Sequence, residues 1–152
     1  MTGTSPAVGD LPEGDWIRGI TIRQPWATCI LAGKSPENRT GNWPWRGWVL
    51  LHAGKKKPEP AVLREPLVAT AIRGRELHLG AVIGVARLTD CHPDQGPNKC
   101  TSPWAERGAH HLVFADVHEL ALPVPATDAL AAWKPTPDLL AQVFQQLPAF
   151  RP

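Results

Sequence analysis

The chain has 152 residues, 43% of them hydrophobic and 20% charged, with 16 Lys and Arg against 14 Asp and Glu. That size and balance fit one domain with a substantial core and exclude a wholly disordered chain. No apolar run approaches the roughly 20 residues of a membrane-spanning helix, and an odd set of three cysteines, Cys29, Cys91 and Cys100, excludes a disulfide framework.

Residues 1–16 carry three acids, no base and no apolar core, so they match neither a secretory signal nor a transit peptide. Their Thr, Ser, Pro and Gly content predicts a flexible lead-in to a single domain over residues 17–152, in a cytoplasmic protein. Arg18 to Arg23 alternates apolar and polar residues and stops before Pro25, which predicts a short strand. Pro25 suits a first helical turn, Trp26 to Ala32 continues the helix, and Gly33 ends it. Cys29 falls among apolar neighbours on that helix and is expected to be buried. Lys34 to Thr40 reads as a loop entering a short strand. Gly47 to Ala53 (GWVLLHA) predicts a central strand, closed by Gly54 and the triplet Lys55, Lys56 and Lys57. Pro60 to Arg73 has apolar residues at helical spacing around Pro66, so it forms either two short helices or one kinked helix. Gly80 to Leu88 predicts another buried strand, Asp90 to Gly108 a polar loop, and His111 to Leu120 an alternating strand. Val124 to Ala132 suggests one turn of helix. Asp138 to Leu147, with an acidic start and an apolar stripe, predicts a C-terminal helix. Strands and helices do not alternate strictly, which disfavours a doubly wound parallel sheet. The expected fold is α+β: a small, mixed, mostly antiparallel β-barrel with helices at its ends.

The net charge of +2 hides an asymmetry, because residues 17–75 balance at +8 and residues 76–152 at −3. The basic segment also holds Trp26, Trp43, Trp45 and Trp48. Cations attract phosphates and aromatic faces stack on bases, so this half either binds nucleic acid or is a solvated basic face beside a Trp-rich core.

Four segments, TIRQPWA at 21–27, GKSPENR at 33–39, RGWVLLHAGKK at 46–56 and AVIGVARLTDC at 81–91, occur at spacings that resemble the ASCH family. The hallmark of that family is a G-x-K-x-x-E-x-R segment after the first helix. Residues 102–120, PVP at 123–125 and Trp133 resemble its bacterial single-domain branch, so the likeness covers about residues 17 to 134. Gly33 and Lys34 are adjacent where the family has one residue between them, but Lys34, Glu37 and Arg39 keep the register. A second departure is the ATD at 126–128. The resemblance implies a PUA-like barrel whose basic cleft holds RNA or a modified nucleotide. One bacterial branch hydrolyses acetylated cytidine, and a few members are ribonucleases. The hydrolase branch has a Thr where this chain has Glu37, which takes away that branch's nucleophile.

The residues expected at a ligand are Gln24, Trp26, Lys34, Glu37 and Arg39, with Trp43, Trp45, His52 and Lys55 around them. Glu37 and Arg39 lie two apart on a strand and so share a face. Arg39 can hold a phosphate or carbonyl by two parallel bonds, and Glu37 can accept from an exocyclic amine. If the protein is an enzyme, Lys34 and Glu37 are the catalytic pair; otherwise the same residues make a structural ion pair. Gln24 can read a base edge, and Trp26 either stacks on a base or packs in the core. Trp43 and Trp45 form either a stacking wall or a packed loop. His52 is either an acid–base group or a satisfied, partly buried histidine. Lys55 to Lys57 either track phosphate or form a solvated turn. RNA binding predicts affinity that falls with salt. Ribonuclease chemistry needs an acid–base pair astride a ribose, which His52 with Lys34 would supply. Cys91, His92, Cys100, His110 and His111 have the ligand types of a zinc site but no C-x-x-C knuckle. The sequence therefore predicts neither a metal nor a cofactor.

Overall fold

A computed structural model describes residues 17–130 and 132–148. The lead-in expected over residues 1–16 lies outside the described residues. The chain folds as a mixed α+β domain around one five-stranded sheet, curled into a half-barrel. The elements are β1 (Arg18–Ile22), α1 (Trp26–Leu31), β2 (Glu37–Arg39), β3 (Gly47–Ala53), α2 (Pro60–Leu63), α3 (Pro66–Ile72), β4 (Ala81–Pro93), β5 (His110–Pro125) and α4 (Pro137–Gln145). Their order in the sheet is β1-β3-β4-β5-β2. β1 runs parallel to β3, and the other neighbours are antiparallel.

β3 is buried at every position because both faces of the sheet are covered. Val49, Leu51 and Ala53 pack with Ile20, Ile22, Leu88, Leu112 and the α1 residues Ala27 and Ile30. Trp48 and Leu50 face the other way, into a second cluster with Val82, Val85, Leu120 and the α4 residues Leu139, Val143 and Phe144. α4 starts where the sequence directs it: Thr136 Oγ1 accepts from the Leu139 N–H, Pro137 takes the first turn and Asp138 follows.

The edge strands β1 and β2 are joined in sequence through α1, which packs on β3, β4 and β5. Arg39 on β2 donates to the Thr21 carbonyl of β1 at 2.9 Å and ties the two edges together. Around Pro66 the chain makes two short helices, because Glu65 is extended at ψ 130°, as a residue before proline prefers.

Two expectations from the sequence are corrected. β4 runs on to Pro93, into the segment read as polar loop, because Asp90, Cys91 and His92 pair with Val113, Leu112 and His111. Three register shifts along this ladder break the alternation that marks a strand. The helical turn expected from Val124 does not begin there: Val124 and Pro125 finish β5 against Val82 and Ala81. Long-range pairing overrides weak local preference at both places.

Candidate functional site

α1 and the loop after it deliver the central cation. The Lys34 backbone N–H donates to the Cys29 carbonyl at 2.9 Å, which turns the chain at Gly33 (φ 107°) and directs Lys34 inward. Lys34 is only 4% exposed and Glu37 6%. The ammonium Nζ donates to Glu37 Oε1 at 2.8 Å and to the Pro36 carbonyl at 2.7 Å. It lies 5.9 Å from the Trp26 ring centre and 6.0 Å from that of Trp104, so two indoles flank it. Arg39 Nε stands 3.6 Å from Glu37 Oε2 without a hydrogen bond, and its guanidinium lies over Trp43 at 5.8 Å. Beneath them Cys29 is wholly buried. Burial pushes its thiol up to about 11, against the pull of nearby Lys34, so the thiol stays protonated and inert at neutral pH.

Lys34 and Glu37 open onto a cavity of about 420 Å³. Trp26, Lys34, Glu37 and Asn38 line one side, and Pro103, Trp104, Ala105 and Glu106 the other, with α3 contributing Leu67 and Val68. Glu65 also reaches the lining, so its formal charges are one lysine against three glutamates, and that lysine is already paired. A smaller cavity of about 290 Å³ adjoins it through Asn38 and Glu106, and there Arg39 and Arg107 supply cations. The loop wall is tied to β2: the Asn38 side chain donates to the Trp104 carbonyl and accepts from the Glu106 N–H.

Of the residues singled out in the sequence, Trp26, Lys34 and Glu37 meet at the main cavity and Arg39 at its neighbour. Gln24 is buried with both ends of its amide engaged: the oxygen accepts from the Thr28 N–H inside α1, and the nitrogen donates to the His78 carbonyl. Trp43 and Trp45 are half-buried against the core, and Arg46 binds their carbonyls. His52 belongs to the other face of the sheet, wholly buried, with Nδ1 on Thr21 Oγ1, Nε2 on the Ala126 carbonyl and its ring edge-on to Trp133. It does not line the Lys34 cavity. Lys55 is exposed in the turn after β3, where its backbone N–H donates to Asp128.

Trp104, Asn38 and Glu106 were missing from the residues expected on sequence grounds. A tryptophan beside a proline in an otherwise polar loop is the signal that marks Trp104, since such a loop has no core of its own to bury it.

No protein-family model matches this chain, and no curated protein matches it.

Proposed function

We propose that this chain is an ASCH-type, PUA-like domain that binds RNA or a modified nucleotide through a base held between Trp26 and Trp104. The observation that carries the reading is the pair of indoles flanking the buried Lys34–Glu37 pair at the wall of a cavity of about 420 Å³. Cavities of about 300–1,000 Å³ suit small ligands. The lining favours a neutral, donor-bearing heterocycle over a phosphate. Its carboxylates accept from amines, its aromatic faces stack, and its lysine charge is already balanced. A phosphate attached to that base has Arg39 and Arg107 next door.

The test is fluorescence titration with cytidine, acetylated cytidine and their 5′-monophosphates. Trp104→Ala is expected to weaken base binding about tenfold or more, because stacking contributes about 1–3 kcal/mol per base. Salt should weaken binding of the monophosphates and leave the nucleosides nearly unchanged. Equal affinity of wild type and Trp104→Ala for every ligand would end the proposal.

A second reading is favoured by the contact of Lys34 Nζ with Glu37 Oε1 at 2.8 Å, which places a proton donor against an acceptor at the cavity wall. In that reading Glu37 takes a proton from water as it attacks an acetyl-amide carbon, and Lys34 polarises the carbonyl oxygen. The C–N bond then breaks, the proton passes to the leaving amine, and acetate and cytidine result. Incubation with acetylcytidine should then yield cytidine by mass detection with wild type and none with Glu37→Gln. No cytidine at high enzyme concentration would leave binding alone.

A further inference from the structure

The antiparallel ladder of β4 and β5 sets His92 directly opposite His111, so both imidazoles project from the same face of the sheet. Their ring centres lie 5.3 Å apart. The loop between the strands returns over them and brings Cys100 down to the pair. One ligand atom from each of His92, Cys100 and His111 lies within 4.8 Å of the others.

The hydrogen bonds decide which ring nitrogens are free. His92 Nδ1 lies 2.7 Å from Asp90 Oδ2. A carboxylate only accepts, so His92 Nδ1 is the donor. The Nε2 lone pair of His92 is left pointing at Cys100 Sγ, 3.7 Å away. His111 Nε2 donates to the Glu106 carbonyl at 2.9 Å, because a carbonyl only accepts. Its Nδ1 therefore carries a bare lone pair, and that atom is buried with no hydrogen-bond partner in a residue 1% exposed. Leaving a buried acceptor unsatisfied is unfavourable, and such an atom calls for an explanation.

We propose that His92 Nε2, Cys100 Sγ and His111 Nδ1 form a binding site for a divalent transition-metal ion of the zinc class, with water in the fourth position. Zinc takes imidazole nitrogen and thiolate sulfur in tetrahedral sites, and three protein ligands with water in the fourth position make an open one. Ordinary zinc–sulfur and zinc–nitrogen bond lengths put the two ligand atoms about 3.6 Å apart at the tetrahedral angle, close to the observed separation of Cys100 Sγ and His92 Nε2. Metal-bound histidines usually donate their other ring nitrogen to a carboxylate or backbone carbonyl. Asp90 and Glu106 supply one of each.

The loop is built to present the sulfur. The Gln95 N–H donates to Cys100 Sγ at 3.3 Å. Arg107 joins the Cys100 carbonyl to Asp94, which in turn accepts from the Gly96 and Gly108 N–H groups. The open side faces a cavity of about 250 Å³ beside Ser35, Lys99 and Ser102, which leaves room for water. Cys91 is not part of the site: it projects into the core on the opposite face and accepts from the Trp43 N–H. Because the same loop carries Trp104 and Glu106, the metal would fasten one wall of the main cavity.

The test is to strip the purified protein with a chelator and titrate it with cobalt(II). One equivalent should give the visible bands of a tetrahedral centre and a near-ultraviolet sulfur-to-cobalt charge-transfer band, both abolished by stoichiometric zinc. Cys91→Ser should keep both bands, and Cys100→Ser should lose the charge-transfer band. Asp90→Asn, an exposed change that leaves the fold intact, should weaken affinity roughly 10–100-fold. Should Cys100→Ser not fold, as circular dichroism would reveal, Asp90→Asn and His92→Gln decide the matter. Absence of the bands in folded wild type, or cobalt binding in these variants as tight as in wild type, would overturn the proposal.

Discussion

Lys34→Ala is expected to destabilise the protein by about 3–5 kcal/mol, the cost of leaving a buried charge without its partner. The side chains of Lys34 and Glu37 are 2% and 8% exposed, so solvent cannot replace the lost ammonium. Arg39 is the nearest other cation to Glu37, at 3.6 Å and without a hydrogen bond, and it is already engaged with the Thr21 carbonyl. The Pro36 carbonyl loses its donor in the same change. Replacing both members, Lys34→Met with Glu37→Leu, should recover most of that loss, because two apolar side chains of similar volume avoid both desolvation penalties. Urea denaturation of the wild type, the single variant and the double variant measures the difference directly. A loss below about 1 kcal/mol for Lys34→Ala would mean that the pair behaves as a solvated surface bridge. The same measurement governs how binding is tested, since lost binding in Lys34→Ala alone would not separate recognition from unfolding. Trp104→Ala avoids that ambiguity because Trp104 is only half-buried and lies in a loop.

Gly19→Ala should destabilise the protein by about 3 kcal/mol or more, at the upper end for overpacking. A Cβ at Gly19 would stand 2.1 Å from Trp133 Cε2 and 2.2 Å from Cζ2, inside the indole ring. The ring has little room to retreat. Its Nε1 donates to Thr21 Oγ1 at 3.2 Å, and it meets His52 edge-on with ring centres 5.8 Å apart. The backbones of Gly19 and Trp133 also bond to each other in both directions, at 2.7 and 3.1 Å. An alanine therefore either expels the indole or breaks the bridge that fastens the segment before α4 to β1. Combining Gly19→Ala with Trp133→Leu should cost less than the sum of the two separate changes, which a double-mutant cycle reads as a coupling energy. Strict additivity would show that the indole does not cover Gly19.

The strands and helices whose periodicity is set locally were legible in the chain. GWVLLHA is apolar at nearly every position because β3 is covered on both faces. The acidic start at Asp138 and the apolar stripe that follows announce α4, and the structure adds the Thr136 cap in front of it. Pro66 divides a helical segment as a fixed-φ residue must. Among the described residues, no helix is long and apolar enough to cross a membrane, in agreement with the hydropathy of the chain.

The Lys34, Glu37 and Arg39 cluster was legible for the same reason. Its members lie within six residues, so a turn and a short strand suffice to gather them. The other wall of the cavity was not, since Trp104 and Glu106 reach β2 only through bonds to Asn38 more than sixty residues away in sequence. His92 and His111 likewise become neighbours only through the register of β4 on β5. Local sequence determines which face a residue takes within its own element, because φ/ψ preferences and side-chain periodicity act over a few residues. Strand register is decided by the whole sheet, because it depends on which pairing buries both cores at once. Tertiary structure alone therefore turned His52 away from the cavity, closed the second indole over Lys34, and brought two histidines and a cysteine from separate segments to one point.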